Sequence, residues 1–300
     1  MSIRFDDRVA IVTGAGAGLG RAHALGLAER GARVVVNDFA DPEAVVAEIE
    51  AAGGAAMADR GDVSKVADVT AMVEAAKAKW GRIDILVNNA GILRDKSFAK
   101  MSLEDVQKVL DVHLMGSTIC THAVWPIMRE QGYGRVVFTS SASGLYGNFG
   151  QSNYGAAKAG MLGLMNVLHL EGAKYGIHVN MLAPTATTQM TEDLLPPDAA
   201  ELLQPETITP GLLWLVSDHA PSRFILAAGG GCFARTRIYE TRGICLTGDE
   251  LTPEMVGELA HQISDPKGQE EIETAFTQTR NFARRAAEAK GLTLHWHEEK

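Results

Sequence analysis

Val9-Ala10-Ile11-Val12-Thr13-Gly14-Ala15-Gly16-Ala17-Gly18-Leu19-Gly20 begins as an unbroken apolar run, places glycine at every second position from Gly14, and gives way to a helix-compatible stretch at Leu19. A short apolar run bounded by glycine reads as a strand buried on both faces. The glycines let the chain turn tightly and let its backbone approach a ligand, and the helix that follows aims its first N–H groups at the same place. Strand, glycine loop and helix in that order form a cradle for the pyrophosphate of a dinucleotide.

The alternation continues outward from this stretch. Apolar runs rich in Val and Ile are expected as strands at 9–13, 33–38, 55–60, 83–88, 135–140, 178–183 and 224–228, with helices at 19–30, 42–52, 65–80, 103–130, 154–174 and 207–217. Strands alternating with helices call for right-handed crossovers. The expected fold is therefore α/β, a doubly wound parallel sheet of seven strands with its ligand beyond the carboxyl ends. Residues 1–230 are expected to form the dinucleotide-binding catalytic domain. Residues 231–300 read as a C-terminal extension, irregular to 252 and helical at 253–263 and 269–290. This extension is too short and polar for an independent domain, and suits a cover over the substrate cleft or a partner subunit.

A net charge of -9, from 28 basic and 37 acidic side chains, speaks against nucleic acid or an anionic membrane as partner. No window reaches the roughly 18 apolar residues of a membrane span. Met1-Ser2-Ile3-Arg4-Phe5-Asp6-Asp7-Arg8 carries acids where a secretory signal would be apolar. Cys120, Cys232 and Cys245 are too widely spaced for a disulfide framework or a zinc site, which suits a reducing, cytoplasmic compartment. Glu298-Glu299-Lys300 is no peroxisomal address of the Ser-Lys-Leu type. His295 and His297 lack a third ligand, so no metal is expected.

Asp38 closes the second apolar run near the ~20-residue spacing at which an acid binds the adenosine ribose hydroxyls. A carboxylate there repels a 2′-phosphate, and Ala15, Gly16 and Ala17 supply no cation to attract one, so NAD is expected over NADP. A turn or capping role suits Asp41 better. Asp62, in Gly61-Asp62-Val63-Ser64, is placed either to accept from an adenine amino group or to cap a helix.

Tyr154 and Lys158, in Asn153-Tyr154-Gly155-Ala156-Ala157-Lys158, lie four residues apart and share a helix face. An ammonium there can lower the phenol's pKa and hold a cofactor ribose while the phenol exchanges a proton with substrate. Ser141 puts a hydroxyl just past the fifth apolar run, with Ser140 and Ser143 as neighbouring alternatives. Each has an ordinary explanation alone: Lys158 as a solvated lysine, Ser141 as a turn residue, Asn88-Asn89-Ala90-Gly91 as a strand-to-loop turn. Together they support hydride transfer between a secondary alcohol carbon and a nicotinamide.

Thr13-Gly14-x-x-x-Gly18-x-Gly20, Asp62, Asn88-Asn89-Ala90-Gly91, Ser141, Tyr154-x-x-x-Lys158 and Pro184 span most of residues 5–230. In this order they resemble the short-chain dehydrogenase/reductase family. The resemblance implies a Rossmann fold, Tyr154 as general acid/base, Ser141 orienting the substrate oxygen, Lys158 on the nicotinamide ribose, and Asn88 tying the central strands together. It implies cofactor contacts at Gly14, Gly16, Ala17, Gly18, Leu19, Gly20, Asp38, Asp62, Val63, Asn89, Ala90, Gly91, Tyr154, Lys158 and Pro184. Thr188, chosen over Thr187 and Gln189, is expected on the carboxamide. Two positions depart from the family pattern. Thr185 replaces the glycine of a usual Pro-Gly. His113 stands where the family has asparagine, and as a fourth catalytic residue it serves through its backbone carbonyl or its imidazole, or else is a neutral core histidine.

Residues 111–117 and 141–151, with Asn37-Asp38, resemble a narrower subgroup: the (3R)-hydroxyacyl-CoA dehydrogenase units of type 2 peroxisomal multifunctional enzymes, also counted as 17β-hydroxysteroid dehydrogenases. The expected activity is NAD-dependent oxidation of a (3R)-3-hydroxyacyl-CoA. A 17β-hydroxysteroid is the alternative substrate, and a catalytically idle nucleotide sensor the alternative of another class. Arg235, Arg237, Arg242, Arg280, Arg284, Arg285 and Lys290 are candidates for the CoA phosphates; Leu145, Tyr146, Phe149 and Met190 for an apolar slot. Apolar faces on the helices at 103–130 and 154–174 suggest subunit pairing, as a homodimer or homotetramer.

Overall fold

The computed structural model describes residues 2–187 and 196–294, so Thr188, Gln189, Met190, His295 and His297 lie outside the described residues. The chain divides into two compact units, Met1–Thr236 and Arg237–Lys300.

The first unit holds β1 Val9–Thr13, β2 Arg33–Asn37, β3 Ala55–Asp59, β4 Ile85–Asn88, β5 Gly134–Thr139, β6 Ile177–Pro184, β7 Ile225–Gly229 and β8 Cys232–Thr236. Seven strands are parallel, in the order β3-β2-β1-β4-β5-β6-β7, as the apolar runs predict. An eighth was not expected: β8 pairs antiparallel with β7. Its side chains are mostly exposed, so no apolar run marks it. Gly230 and Gly231, at φ +57° and +74°, make the two-residue turn that returns the chain.

The helices are α1 Gly18–Glu29, α2 Glu43–Ala51, α3 Val66–Trp80, α4 Leu103–Leu110, α5 Gly116–Gln131, α6 Ala142–Tyr146, α7 Ser152–Gly172, α8 Pro197–Leu202 and α9 Thr209–Leu215. Alternate strand residues feed two core layers. Ala10 and Val12 pack with Leu27, Ile49 and Leu212 on one face; Val9 and Ile11 pack with Met72, Val124 and Met161 on the other. Each large side chain so buried stabilises the fold by about 1.5–3 kcal/mol before the entropy of ordering it. Ser102 starts α4 by accepting the Asp105 N–H at 3.1 Å.

The helix expected over 103–130 is not continuous α-helix. Between α4 and α5, Asp111–Met115 form a π-helical turn, which widens the hydrogen-bond ladder by one residue. The apolar spacing runs through the segment without a break, so sequence periodicity cannot reveal it.

At the amino ends of the strands Asp84 is fully buried. Its carboxylate accepts the Val9 N–H at 2.9 Å, Arg8 Nη1 at 3.2 Å, and Arg82 Nε and Nη2 at 2.8 and 2.6 Å.

The second unit contains α10 Pro253–Glu258, α11 Ala260–Ile263 and α12 Ala275–Ala289. Thr252 and Thr274 cap α10 and α12. Arg237 donates to Glu271 at 3.0 Å, Arg284 lies 3.9 Å from Glu288, and Arg280 sits over the Phe276 ring. These three candidate CoA contacts therefore already have neighbours inside the unit. Among the described residues no helix is long and apolar enough to cross a membrane, and no three His, Cys, Asp or Glu side chains are grouped to hold a metal.

Candidate active site

Strand order reverses between β1 and β4, since β1 leads outward to β2 while β3 crosses back to β4. The carboxyl ends of strands diverge at such a point. Here they open into a cleft of about 420 Å³.

One end of the cleft is the glycine loop. Gly14 turns with φ +61°, and a Cβ on it would lie 2.8 Å from the Ala90 Cα. Asn89 Nδ2 donates to the carbonyls of Thr13 and Gly14 at 3.0 and 3.1 Å, and Thr13 Oγ1 accepts the Asn89 and Ala90 N–H groups at 3.0 and 3.1 Å. The stretch 88–91 is thus a clamp on the loop. Asn88 itself is buried and donates to Thr121 Oγ1 at 3.1 Å. No side chain caps the start of α1, and no acid lies in its first turn. Its N–H groups and positive dipole end suit a pyrophosphate.

Asp38 lines the cleft. Its two oxygens accept the Gly16 and Ala40 N–H groups, both at 2.8 Å. The turn after β2 is therefore made by Asp38; the Asp41 carboxylate lies 4.0 Å from Arg60, and the N-cap of α2 is Pro42. Each Asp38 oxygen keeps acceptor capacity for a ribose hydroxyl. Gly16 stands behind Asp38, where a Cβ would meet the carboxylate carbon at 2.8 Å. Ala17, Gly18, Leu19, Gly20, Asn89, Ala90, Gly91 and Pro184 line the cleft as well; among the described residues Lys158 is its one basic side chain apart from the neutral His113. The residues present fit a dinucleotide without a 2′-phosphate.

Asp62 and Val63 are not among the lining residues. Asp62 Oδ1 accepts the Ser64 N–H and hydroxyl at 2.9 and 2.6 Å, forming the turn before α3. Burial opposes its ionisation, but these bonds and the nearby Lys108 and Lys65 leave its pKa below the usual value. Val63 is buried against Gly116, where a Cβ would meet it at 2.8 Å.

Ser141 follows β5 and caps α6, its Oγ accepting the Ser143 N–H at 3.2 Å. Ser140 donates to the Lys158 carbonyl at 3.2 Å and Ser143 to Gln151 at 2.6 Å. Of the three serines, Ser141 is the one that acts on the Tyr154 phenol, favouring its ionisation. Lys158 is buried, and its Nζ donates to the Thr139 carbonyl at 2.5 Å while lying 5.4 Å from the centre of the Tyr154 ring. Burial pulls this ammonium down to about 7. The phenol is pushed up, by burial first and by Asp95 next, with Ser141 opposing. The Lys158 ammonium is directed at a backbone carbonyl of β5.

His113 sits in the π-helical turn, edge-on to Tyr154 at 5.1 Å. A Cβ on Gly91 would come within 2.3 Å of its ring, so only glycine leaves room for it. Its Nε2 lies 2.8 Å from the Ile92 carbonyl and 3.0 Å from the Ile92 N–H, and its Nδ1 is buried without a partner. Burial, aided by Lys158, brings His113 down to about 3; burial does the same to His23, whose Nδ1 meets Thr209 Oγ1 at 3.0 Å.

Both imidazoles are neutral in the folded chain but protonate near 6.5 when unfolded. Protons therefore favour the unfolded chain: the stability is complete above pH ~6.5 and declines as pH falls towards about 3. Between pH ~7.5 and ~5.5 the two together should cost about 3 kcal/mol. Asp62, whose pKa is lowered, begins to lose stability only at pH values below that window. Urea unfolding at the two pH values checks this, and an unchanged midpoint would mean that neither ring is held neutral.

Three further residues line the cleft and were not singled out as site residues: Leu93, Asn148 and Gln151. Gln151 Nε2 donates to Asp95 Oδ2 at 2.6 Å, and its Oε1 accepts from Ser143 Oγ at 2.6 Å and Asn148 Nδ2 at 3.1 Å. The signal for Gln151 was its place just before the helix that carries Tyr154, where it is the N-cap of α7. Thr185 and Ala186 also line the cleft. Thr187 is spent, its hydroxyl on the Ala200 carbonyl at 3.0 Å and its N–H on that of Leu203 at 2.7 Å. Leu145 packs against the core, whereas Tyr146 and Phe149 are exposed and outside the lining.

Residues 8–198 match the short chain dehydrogenase family. Peroxisomal multifunctional enzyme type 2 of Mus musculus is 46% identical over 277 residues, covering 88% of this chain and 37% of the mouse protein. The structure of the full-length peroxisomal multifunctional enzyme type 2 from Drosophila melanogaster superposes with a TM-score of 0.83 at 38% identity, covering 95% of this chain and 50% of that one. The chain thus spans half or less of these relatives. A 7α-hydroxysteroid dehydrogenase complexed with NADH and 7-oxo glycochenodeoxycholic acid superposes with a TM-score of 0.71 at 32% identity, covering 76% of this chain and 95% of that one.

Proposed function

Because the chain belongs to the short-chain dehydrogenase family, and is thus an oxidoreductase that uses a nicotinamide cofactor, we propose that it oxidises (3R)-3-hydroxyacyl-CoA thioesters with NAD. The observation that carries this reading is one cleft in which Ser141, Tyr154 and Lys158 share a wall with the glycine loop and Asp38. The cofactor, when bound, supplies the hydride acceptor. Ser141 donates to the substrate oxygen and Tyr154 takes its proton. Lys158, titrating near neutrality, holds the ribose and passes the proton on. The acyl-CoA substrate rests on the likeness to the multifunctional enzymes.

Asp38 carries the preference for NAD in this reading. Asp38→Ser should lower the ratio of kcat/KM for NAD to that for NADP by about 10- to 100-fold, the worth of a charge-assisted hydrogen bond. An unchanged ratio would place the specificity elsewhere. All three cysteines are free, in keeping with a cytoplasmic setting. Val167 and Leu170 are exposed on α7, and we assign that face to pairing of subunits in a homodimer or homotetramer.

Reduction of NAD by a panel of hydroxyacyl-CoA thioesters and hydroxysteroids tests the function. Turnover of steroids alone would replace the acyl substrate by a steroid. Turnover of no secondary alcohol would leave a nucleotide-binding protein without chemistry.

A further inference from the structure

Gln151 is buried at the mouth of the cleft, one turn before Tyr154, and its amide can take only one orientation. Its Oε1 accepts from Ser143 Oγ and Asn148 Nδ2, and its Nε2 donates to the Asp95 carboxylate. Turning the amide over would set nitrogen against the Asn148 amine and oxygen against a carboxylate. The nitrogen carries two N–H bonds, and Asp95 is the one acceptor it has among the described residues. Two bonds into Oε1 polarise the amide and strengthen the donor that remains.

A 3-hydroxyacyl thioester differs from a simple secondary alcohol in one respect that matters here. It bears a second oxygen, the thioester carbonyl, two carbons from the reacting one. Gln151 is the N-cap of α7 and lines the same cleft as Ser141 and Tyr154, so its amide and their hydroxyls face one ligand. We propose that Gln151 is the specificity-determining residue that reads this second oxygen, its free N–H donating to the thioester carbonyl while Tyr154 and Ser141 hold the reacting oxygen. This rests on the acyl-thioester function proposed above.

Gln151 is not the one tie between the loops at the mouth. The Lys96 N–H donates to the Gly150 carbonyl at 3.0 Å, and Asn153 Nδ2 to the Arg94 carbonyl at 3.0 Å, joining the same two loops. Gln151→Met, of similar volume, therefore removes the donor and leaves the frame. For this variant kcat/KM on a (3R)-3-hydroxyacyl-CoA should fall by about 10- to 100-fold. On a secondary alcohol of equal chain length without the carbonyl, it should stay within about twofold. An equal fall on both substrates, or no fall on either, would overturn the role of Gln151 and leave the proposed function standing. Wild-type enzyme that oxidises the simple alcohol and no thioester would overturn both.

Discussion

Tyr154→Phe is expected to lower kcat by about 10² to 10⁴, the usual reach of one acid/base group, while NAD still binds. The substitution removes a single oxygen. The ring keeps its edge-on contact with His113, and Lys158 keeps its bond to the Thr139 carbonyl, so the fold around the site is undisturbed. What is lost is the proton acceptor beside Ser141. In the wild type the phenol is pushed above its usual value by burial, so oxidation should quicken as pH rises and the phenolate fraction grows. Turnover measured against pH, with NAD affinity followed by fluorescence, checks both points. Near wild-type turnover in Tyr154→Phe would take the phenol out of the chemistry.

The second large effect lies at the other end of the sheet and concerns stability. Asp84→Ala should destabilise the fold by about 3 kcal/mol, the low end for breaking a buried ion pair. The carboxylate is fully buried and joins three segments: the start of β1 through the Val9 N–H, the chain before it through Arg8, and the approach to β4 through Arg82. The arginines are partly exposed and can turn to water, which limits the loss. The Val9 N–H is buried and cannot. Asp84 lies at the amino ends of the strands, away from the cleft, so kcat of the folded variant should be unchanged. Chemical unfolding would reveal the loss; a midpoint equal to wild type would show that water replaces the carboxylate.

Sequence revealed what is written in apolar runs and short motifs. The seven parallel strands are the Val- and Ile-rich runs; the glycine loop and Ser141 follow the carboxyl ends of two of them, and Tyr154 and Lys158 are marked by their four-residue spacing on α7. The features it hid depend on other interactions. β8 has no buried face, and α6 is five residues long. Lys158 finds its acceptor in the Thr139 carbonyl, a backbone group with no residue signature. Asp84, between Ile83 and Ile85, looks like an ordinary polar residue near the start of the expected strand until three segments converge on it. Asp38 was found for its charge, but its bonds to Gly16 and Ala40 exist only once two loops meet.

The π-helical turn at Asp111–Met115 has a bearing on how such a chain tolerates insertion and deletion. Removing one residue there would let α4 and α5 fuse into a single regular rod, a local gain in backbone hydrogen bonding. It would also remove the widened turn that carries His113. His113 would leave Gly91 and Tyr154. The extra residue is therefore a register pin, and a one-residue deletion that perfects the helix would dismantle the wall of the cleft.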